Sequence, residues 1–191
     1  ERIAAAISSA TRIVTVSWVR FQDGLMLDLN LLGRLCADRG VDLVVDGIQG
    51  AGTHAPDLSG VAAFAAGGHK GLLAMSGQGF LWTSPGFRQR LSPMGSWLSV
   101  EEGGNFNRAM TDHERGWLAT GQRMEQGGYN ILGSLVLKGA LAVLNETGVC
   151  KIESHVSGLQ TELLAGLRGA AAISGPFSTS RGRAELERLE G

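Results

Sequence analysis

The chain has 191 residues, 43% of them hydrophobic, with 29 Gly and only 4 Pro. That apolar share excludes a disordered chain, which could not offset its conformational entropy by burial, and the length suits one ordinary domain with a sizeable core. With 17 basic and 18 acidic residues the net charge is −1, which excludes a generic polyanion binder working through basic excess, so no nucleic-acid partner is expected.

The two cysteines, Cys36 and Cys150, build no disulfide framework, and neither stands in a CxxC or Cys/His metal-ligand spacing. No metal is expected, and the expected setting is a reducing cytoplasm. The longest apolar stretch, Ile131 to Leu144, is too short to span a bilayer and is interrupted by Lys138. No membrane partner follows from it. The opening ERIAAAISSATR lacks the basic flank and apolar run of a secretory signal. It reads as the tail of a helix without an initiator Met, so a longer protein is expected.

In chain order, Glu1 to Ser9 is that helix tail. Arg12 to Val19 is β-branched and apolar at nearly every position, which fits a strand buried on both faces. Asp23-Gly24 marks a turn. Leu27 to Arg39 carries apolar residues on one helical face, with Asp28 as N-cap and Gly40 as left-handed cap. Val41 to Val45 is a short strand ending at Asp46. A turn or short helix follows at Asp57 to Gly60, then a strand over Val61 to Ala66, ending at Gly67-Gly68-His69-Lys70. Gly79 to Thr83 is a fourth strand, and Gly86 to Arg90 starts a polar helix. Residues 93–128, rich in Gly and polar groups, form a long loop of the kind that is functional or interfacial. Tyr129 to Asn145 and Val149 to Leu167 are helices. The first is apolar on most faces and expected to be buried; the second places Ile152, Val156, Leu159, Leu163 and Leu167 on one side. A polar tail runs from Ser174 to Gly191. The order of elements predicts an α/β fold with a mostly parallel sheet and flanking helices.

The stretch from Val44 to Lys70 carries the chemistry. Ligands of open parallel sheets bind at the carboxyl edge of the strands. There the sequence sets an acid (Asp46), an amide (Gln49), an imidazole (His69) and an amine (Lys70). One reading is a surface ion pair with Asp46 as a cap. The other is a site for pyridoxal 5'-phosphate (PLP). That cofactor needs a lysine for its Schiff base, a carboxylate against its pyridine nitrogen and a donor near its phenolic oxygen. Lys70, Asp46 and Gln49 fill these roles, and burial with neighbouring groups would disfavour the ammonium form of the lysine.

Val45-Asp46-Gly47-Ile48-Gln49 followed by Gly67-Gly68-His69-Lys70 resembles the class V aminotransferase family of fold-type I PLP enzymes, a group with cysteine desulfurases, selenocysteine lyases and isopenicillin N epimerase-like proteins. The surroundings agree: Val16-Ser17-Trp18-Val19 before it, Leu27-Asp28-Leu29, Gly77-Gln78-Gly79-Phe80-Leu81 after the lysine, and Arg123-Met124-Glu125-Gln126-Gly127-Gly128-Tyr129-Asn130 for the family's RFExGTxN segment. The resemblance covers about residues 1–170. It implies an enzyme acting on an amino acid by transamination, desulfuration or other lyase chemistry, or epimerisation. Lys70 would hold PLP covalently, Asp46 would meet the pyridine nitrogen and Gln49 the phenolic oxygen. His69 would sit beside the phosphate or the covalent link, and Gly127-Gly128 would approach the phosphate of a partner subunit in a homodimer. Trp18 is read as the wall of the substrate pocket, against the alternative of a core or interface aromatic.

Many members carry Ser where Gly67 stands and Thr or Ser where Gly128 stands, so two phosphate-binding hydroxyls are replaced by backbone N–H groups. A complete member is about twice this length, so residues 1–128 correspond to part of the PLP-binding large domain. Residues 129–191 correspond to long helices leading into an incomplete C-terminal domain. The phosphate-cradling loop, the residue stacking on the ring and the arginine for the substrate carboxylate are expected outside this stretch. Arg181 and Arg183 carry no mark of that arginine.

Two other classes stay open. One is a relative that keeps the fold without the cofactor. The other is a nucleotide-binding α/β domain using Gly47, Gly50 and Gly52, although their order departs from GxGxxG. Of the remaining candidates, Trp97 is read as an interface or active-site-loop aromatic, His54, His113 and His155 as solvent-facing, Arg123 with Glu125 as an ion pair or a functional couple, and neither cysteine as a desulfurase nucleophile.

Overall fold

The structure is a computed structural model that describes residues 2–93, 95–107 and 113–169. The expected polar tail, with Arg181 and Arg183, lies outside the described residues, as does the side chain of Leu167. The elements are α1 (Arg2–Ala6), β1 (Ile13–Ser17), α2 (Leu29–Ala37), β2 (Asp42–Asp46), β3 (Ala63–Gly67), β4 (Gly79–Thr83), α3 (Pro85–Arg90), a 3₁₀ turn (Gly121–Met124), α4 (Ile131–Thr147) and α5 (Val149–Gly169). The strands form one sheet in the order β1-β2-β3-β4. The first three are parallel and β4 returns antiparallel to β3. Fold class and element order therefore match the sequence pattern.

Local chemistry explains the crossover between β1 and β2. The Asp28 carboxylate accepts the Leu31 N–H at 3.0 Å and so caps α2. Leu29, Leu32, Gly33 and Cys36 then bury one face, the three-and-four spacing of an amphipathic helix. At the far end Gly40 takes φ +64°, and the Val41 N–H returns to the Cys36 carbonyl at 2.9 Å.

The sheet has a major and a minor core. Leu43, Val45, Phe64 and Ala66 pack with Leu29, Leu32 and Cys36 of α2 and with Leu137 and Leu144 of α4. On the opposite side Ala62 and Ala63 meet Phe87 of α3, with Val44 and Leu91 beside them. Arg90 closes that side with a two-pronged pair to Asp42 at 2.7 and 2.6 Å.

Three burial expectations are corrected. β1 is an edge strand with alternating exposure, and Ile13 is 50% exposed. Its outward face has no covering layer among the described residues, so its apolar sequence does not produce two-sided burial. α4 buries only Gly133, Leu137 and Leu144, while Leu132 stays 75% exposed with Ile131, Leu135, Val136 and Val143 also open. On α5, Ile152 and Val156 are half-buried, but Leu159 and Leu163 are exposed. Among the described residues no helix is long and apolar enough to cross a membrane.

Candidate functional site

β2 ends at Asp46, and its register sets Asp46 beside Ser17 of β1 and Ala65 of β3. The backbone is pinned there by Trp18 N–H donating to the Asp46 carbonyl at 2.8 Å and Gly47 N–H to the Ala65 carbonyl at 2.7 Å. The carboxylate is held on both oxygens. Oδ1 accepts the Ile48 N–H at 3.0 Å, and Oδ2 accepts the Ser17 hydroxyl at 3.4 Å. Asp46 stays exposed and Gln49 half-buried, so both remain able to meet a ligand.

Lys70 stands three positions past the end of β3, the neighbouring parallel strand. The loop that carries it is closed by Gly68 N–H to the Gln78 carbonyl at 2.7 Å, Ala74 N–H to the Gly68 carbonyl at 2.8 Å and Leu73 N–H to the Lys70 carbonyl at 2.9 Å. Leu73 adopts φ +56°, a left-handed conformation that costs a non-glycine residue energy and is met most often at functional loops. His69 and Lys70 are exposed, which corrects the expectation of a buried lysine. Among the described residues the Lys70 amine has no ion pair or hydrogen bond. The surface ion pair between Lys70 and Asp46, one of the two sequence readings, is therefore not formed.

The loops after β2 and β3 touch backbone to backbone. A methyl group on Gly52 would lie 2.1 Å from the Gly71 carbonyl oxygen, and one on Gly71 would lie 2.4 Å from that of Ala51. Tight apposition of these two loops brings the Gln49 and Lys70 segments to one edge. The His69 ring and the Ile48 side chain both lie over Gly67, where a Cβ would meet Ile48 Cδ1 at 3.1 Å and the ring at 3.2 Å. A serine at position 67 would crowd that imidazole.

Trp18, expected at the wall of the substrate pocket, lies in the core. It is 4% exposed and packs edge-on against Phe64 and His54, with centroids 5.9 and 6.2 Å away. Its ring lies against Gly50, where a Cβ would meet Trp18 Cε3 at 2.6 Å, so it backs the end of the Gly47–Gly50 turn. His54, expected to face solvent, is half-buried, in contact with Trp18 and 3.0 Å from the Thr53 hydroxyl. His113 and His155 are exposed as expected.

Gly127 and Gly128 belong to another cluster. A Cβ on Gly127 would meet Trp97 Nε1 at 2.7 Å, and Gly128 takes φ +88°. Thr or Ser in that backbone conformation would be strained, which accounts physically for glycine here. The turn leads into Asn130, whose side chain caps α4 by accepting the Gly133 N–H at 2.9 Å. The hydroxyls of Ser96 and Ser99 donate to the Glu125 carbonyl at 3.0 and 3.1 Å. Trp97 is half exposed, tilts against Phe106 and lines a cleft of about 550 Å³ with Trp117, His113 and Arg115. Arg123 donates to the Leu91 carbonyl at 3.4 Å and forms no ion pair with Glu125. Burial pushes the Cys36 thiol up, with Arg39 opposing. Cys36 is thereby held as a thiol, while Cys150 is exposed.

The donor set fits PLP: an exposed amine without a partner and a carboxylate oriented by two donors stand at the carboxyl ends of adjacent parallel strands. Sequence reasoning did not assign Ser17. The signal that finds it is register, since strands of equal length ending together set Ser17 opposite Asp46.

The fold is α/β with a mostly parallel sheet, and Asp46, Gln49, His69 and Lys70 stand at its carboxyl edge. The profile of the family "Aminotransferase class-V" matches residues 1–179, and the chain belongs to that family. It is 32% identical over 170 residues to a probable cysteine desulfurase of Methanothermobacter thermautotrophicus, covering 86% of this chain and 40% of that protein. It is 38% identical over 91 residues to the isopenicillin N epimerase of Streptomyces clavuligerus, covering 47% of this chain and 23% of that protein. Among solved structures, a C-DES variant with glycine covalently linked to its PLP cofactor superimposes with a TM-score of 0.75 at 23% identity, covering 92% of this chain and 47% of that one. The chain thus spans less than half the length of these relatives.

Proposed function

We propose that this chain is the lysine-bearing portion of a PLP-dependent enzyme that acts on an amino acid, by transamination, by desulfuration or other lyase chemistry, or by epimerisation. The single observation that carries the reading is the unpartnered Lys70 amine beside a strand that ends on an oriented Asp46 carboxylate. Lys70 Nζ would hold the cofactor covalently, and Asp46 would bind and keep the proton on its ring nitrogen. Gln49 would donate to its phenolic oxygen, and His69 would flank the covalent link or the phosphate. When bound, PLP supplies an electron sink for bonds at the substrate α-carbon. Lys70 Nζ is then the group that takes and returns the α-proton. Cys36, buried and kept as a thiol, is not a nucleophile in this reading. The exposed Gly127-Gly128 turn at the start of α4 suits a phosphate contact through backbone N–H groups, across the interface of a homodimer.

PLP added to the purified protein is expected to give a visible absorption band, and borohydride is expected to fix one cofactor on the peptide containing Lys70. Absence of the band overturns the reading in favour of a fold-keeping relative without cofactor, and a band and a fixed product unchanged in Lys70→Ala overturn it by placing the attachment at another amine.

A further inference from the structure

We infer that Ser17 is a positioning residue for Asp46: its hydroxyl holds the carboxylate in the orientation that meets a protonated ring nitrogen. The inference rests on the PLP reading above and concerns a residue which that reading leaves without a role.

Three observations carry it. Ser17 and Asp46 are register partners at the last rung of the β1–β2 ladder, and side chains at one rung of a parallel pair leave the sheet on the same face. Both residues are exposed there, so the hydroxyl is not needed to fill the core. The Ser17 hydroxyl donates to Oδ2 at 3.4 Å while the Ile48 N–H takes Oδ1. Two donors on two oxygens fix the plane of the carboxylate, where one alone would leave it rotating about its Cβ–Cγ bond. The backbone bond from Trp18 N–H to the Asp46 carbonyl at 2.8 Å keeps the two residues in step. A serine at this rung has one rotatable bond and loses little entropy on making the contact.

The test is a double-mutant cycle read by PLP affinity and by the pH dependence of the bound cofactor's absorption spectrum. Ser17→Ala is expected to weaken PLP binding by about three- to tenfold, the scale of one ordinary hydrogen bond, and to shift the spectral pH midpoint. Ser17→Thr, which keeps the hydroxyl, is expected to restore both. In an Asp46→Asn background Ser17→Ala should add almost nothing, because the group it positions is gone. Equal effects of Ser17→Ala in both backgrounds, or no effect in either, overturn the inference while leaving borohydride fixation on Lys70 intact. Loss of fixation in the unmutated protein instead removes the PLP reading itself and this inference with it.

Discussion

Gly52 and Gly71 show how single residues set the geometry of the edge. Gly52 sits at φ +88°, and a methyl group there would penetrate the Gly71 carbonyl oxygen. Both strain and clash oppose a side chain, so Gly52→Ala is expected to lower the unfolding free energy by about 2 kcal/mol or more. Urea unfolding measures this, and an unchanged midpoint contradicts the close approach. The two thiols offer a second test at this scale. Cys36 is 0% exposed and Cys150 is on the surface, so a thiol reagent is expected to label one group quickly and the second only on unfolding. Two equally fast thiols would show that the α2 face is not packed on the sheet. The residue types at the edge were legible in the sequence because a strand end followed by Asp, and a strand end followed by His-Lys, are local patterns. The place of Trp18 was not, since a shift of one residue at the end of β1 decides between pocket and core.

At the scale of elements, α2 is tied to the β2–β3 connection by Asp57. Hydrogen bonds from the Ser59 hydroxyl and N–H and from the Asn30 amide hold its carboxyl at about 2 instead of the usual 3.8; the Asn30 contact measures 2.8 Å. Arg34 in turn donates to Asn30. A depressed folded value means that the bonds stabilise the fold above the unfolded value and are lost as pH falls through the folded one. Stability is therefore expected to drop between about pH 4 and pH 2 by more in the natural protein than in Asp57→Asn. Thermal unfolding followed across that window checks it, and parallel curves would contradict it. The cap of α2 is separable from this contact. Asp28→Ala is expected to cost about 1 kcal/mol, measured as a shift in the urea midpoint at neutral pH. Element positions were largely legible, β4 to the residue, because period and caps are short-range signals. Burial of β1 and α4 was not, since apolar sequence records what an element is able to bury and not which neighbour arrives to cover it.

Among the described residues, one sheet edge and one apolar helix face are left open. β1 forms one edge of the sheet, and α4 turns Ile131, Leu132, Leu135, Val136 and Val143 away from the core it fills with Leu137 and Leu144. A helix apolar on both faces is ordinarily a buried helix, and patches of this kind drive association when uncovered. The chain by itself is expected to associate as its concentration rises, and Leu132→Glu with Leu135→Lys to reduce this without loss of helical signal. Sedimentation velocity and circular dichroism together decide it. A monomeric natural chain at all concentrations would contradict the argument.

What the sequence by itself determined was the α/β order of elements, the Asp46–Gln49 and His69–Lys70 motifs and their place at strand ends, because backbone propensity, capping and hydrophobic period act over a few residues. What only the tertiary structure decided was the contact of Ser17 with Asp46, the exposure of Lys70, the burial of Trp18 against Gly50 and the open face of α4. Each of these depends on register and packing between segments far apart in the chain, and the free energy of such contacts belongs to the pair of surfaces rather than to either stretch of sequence.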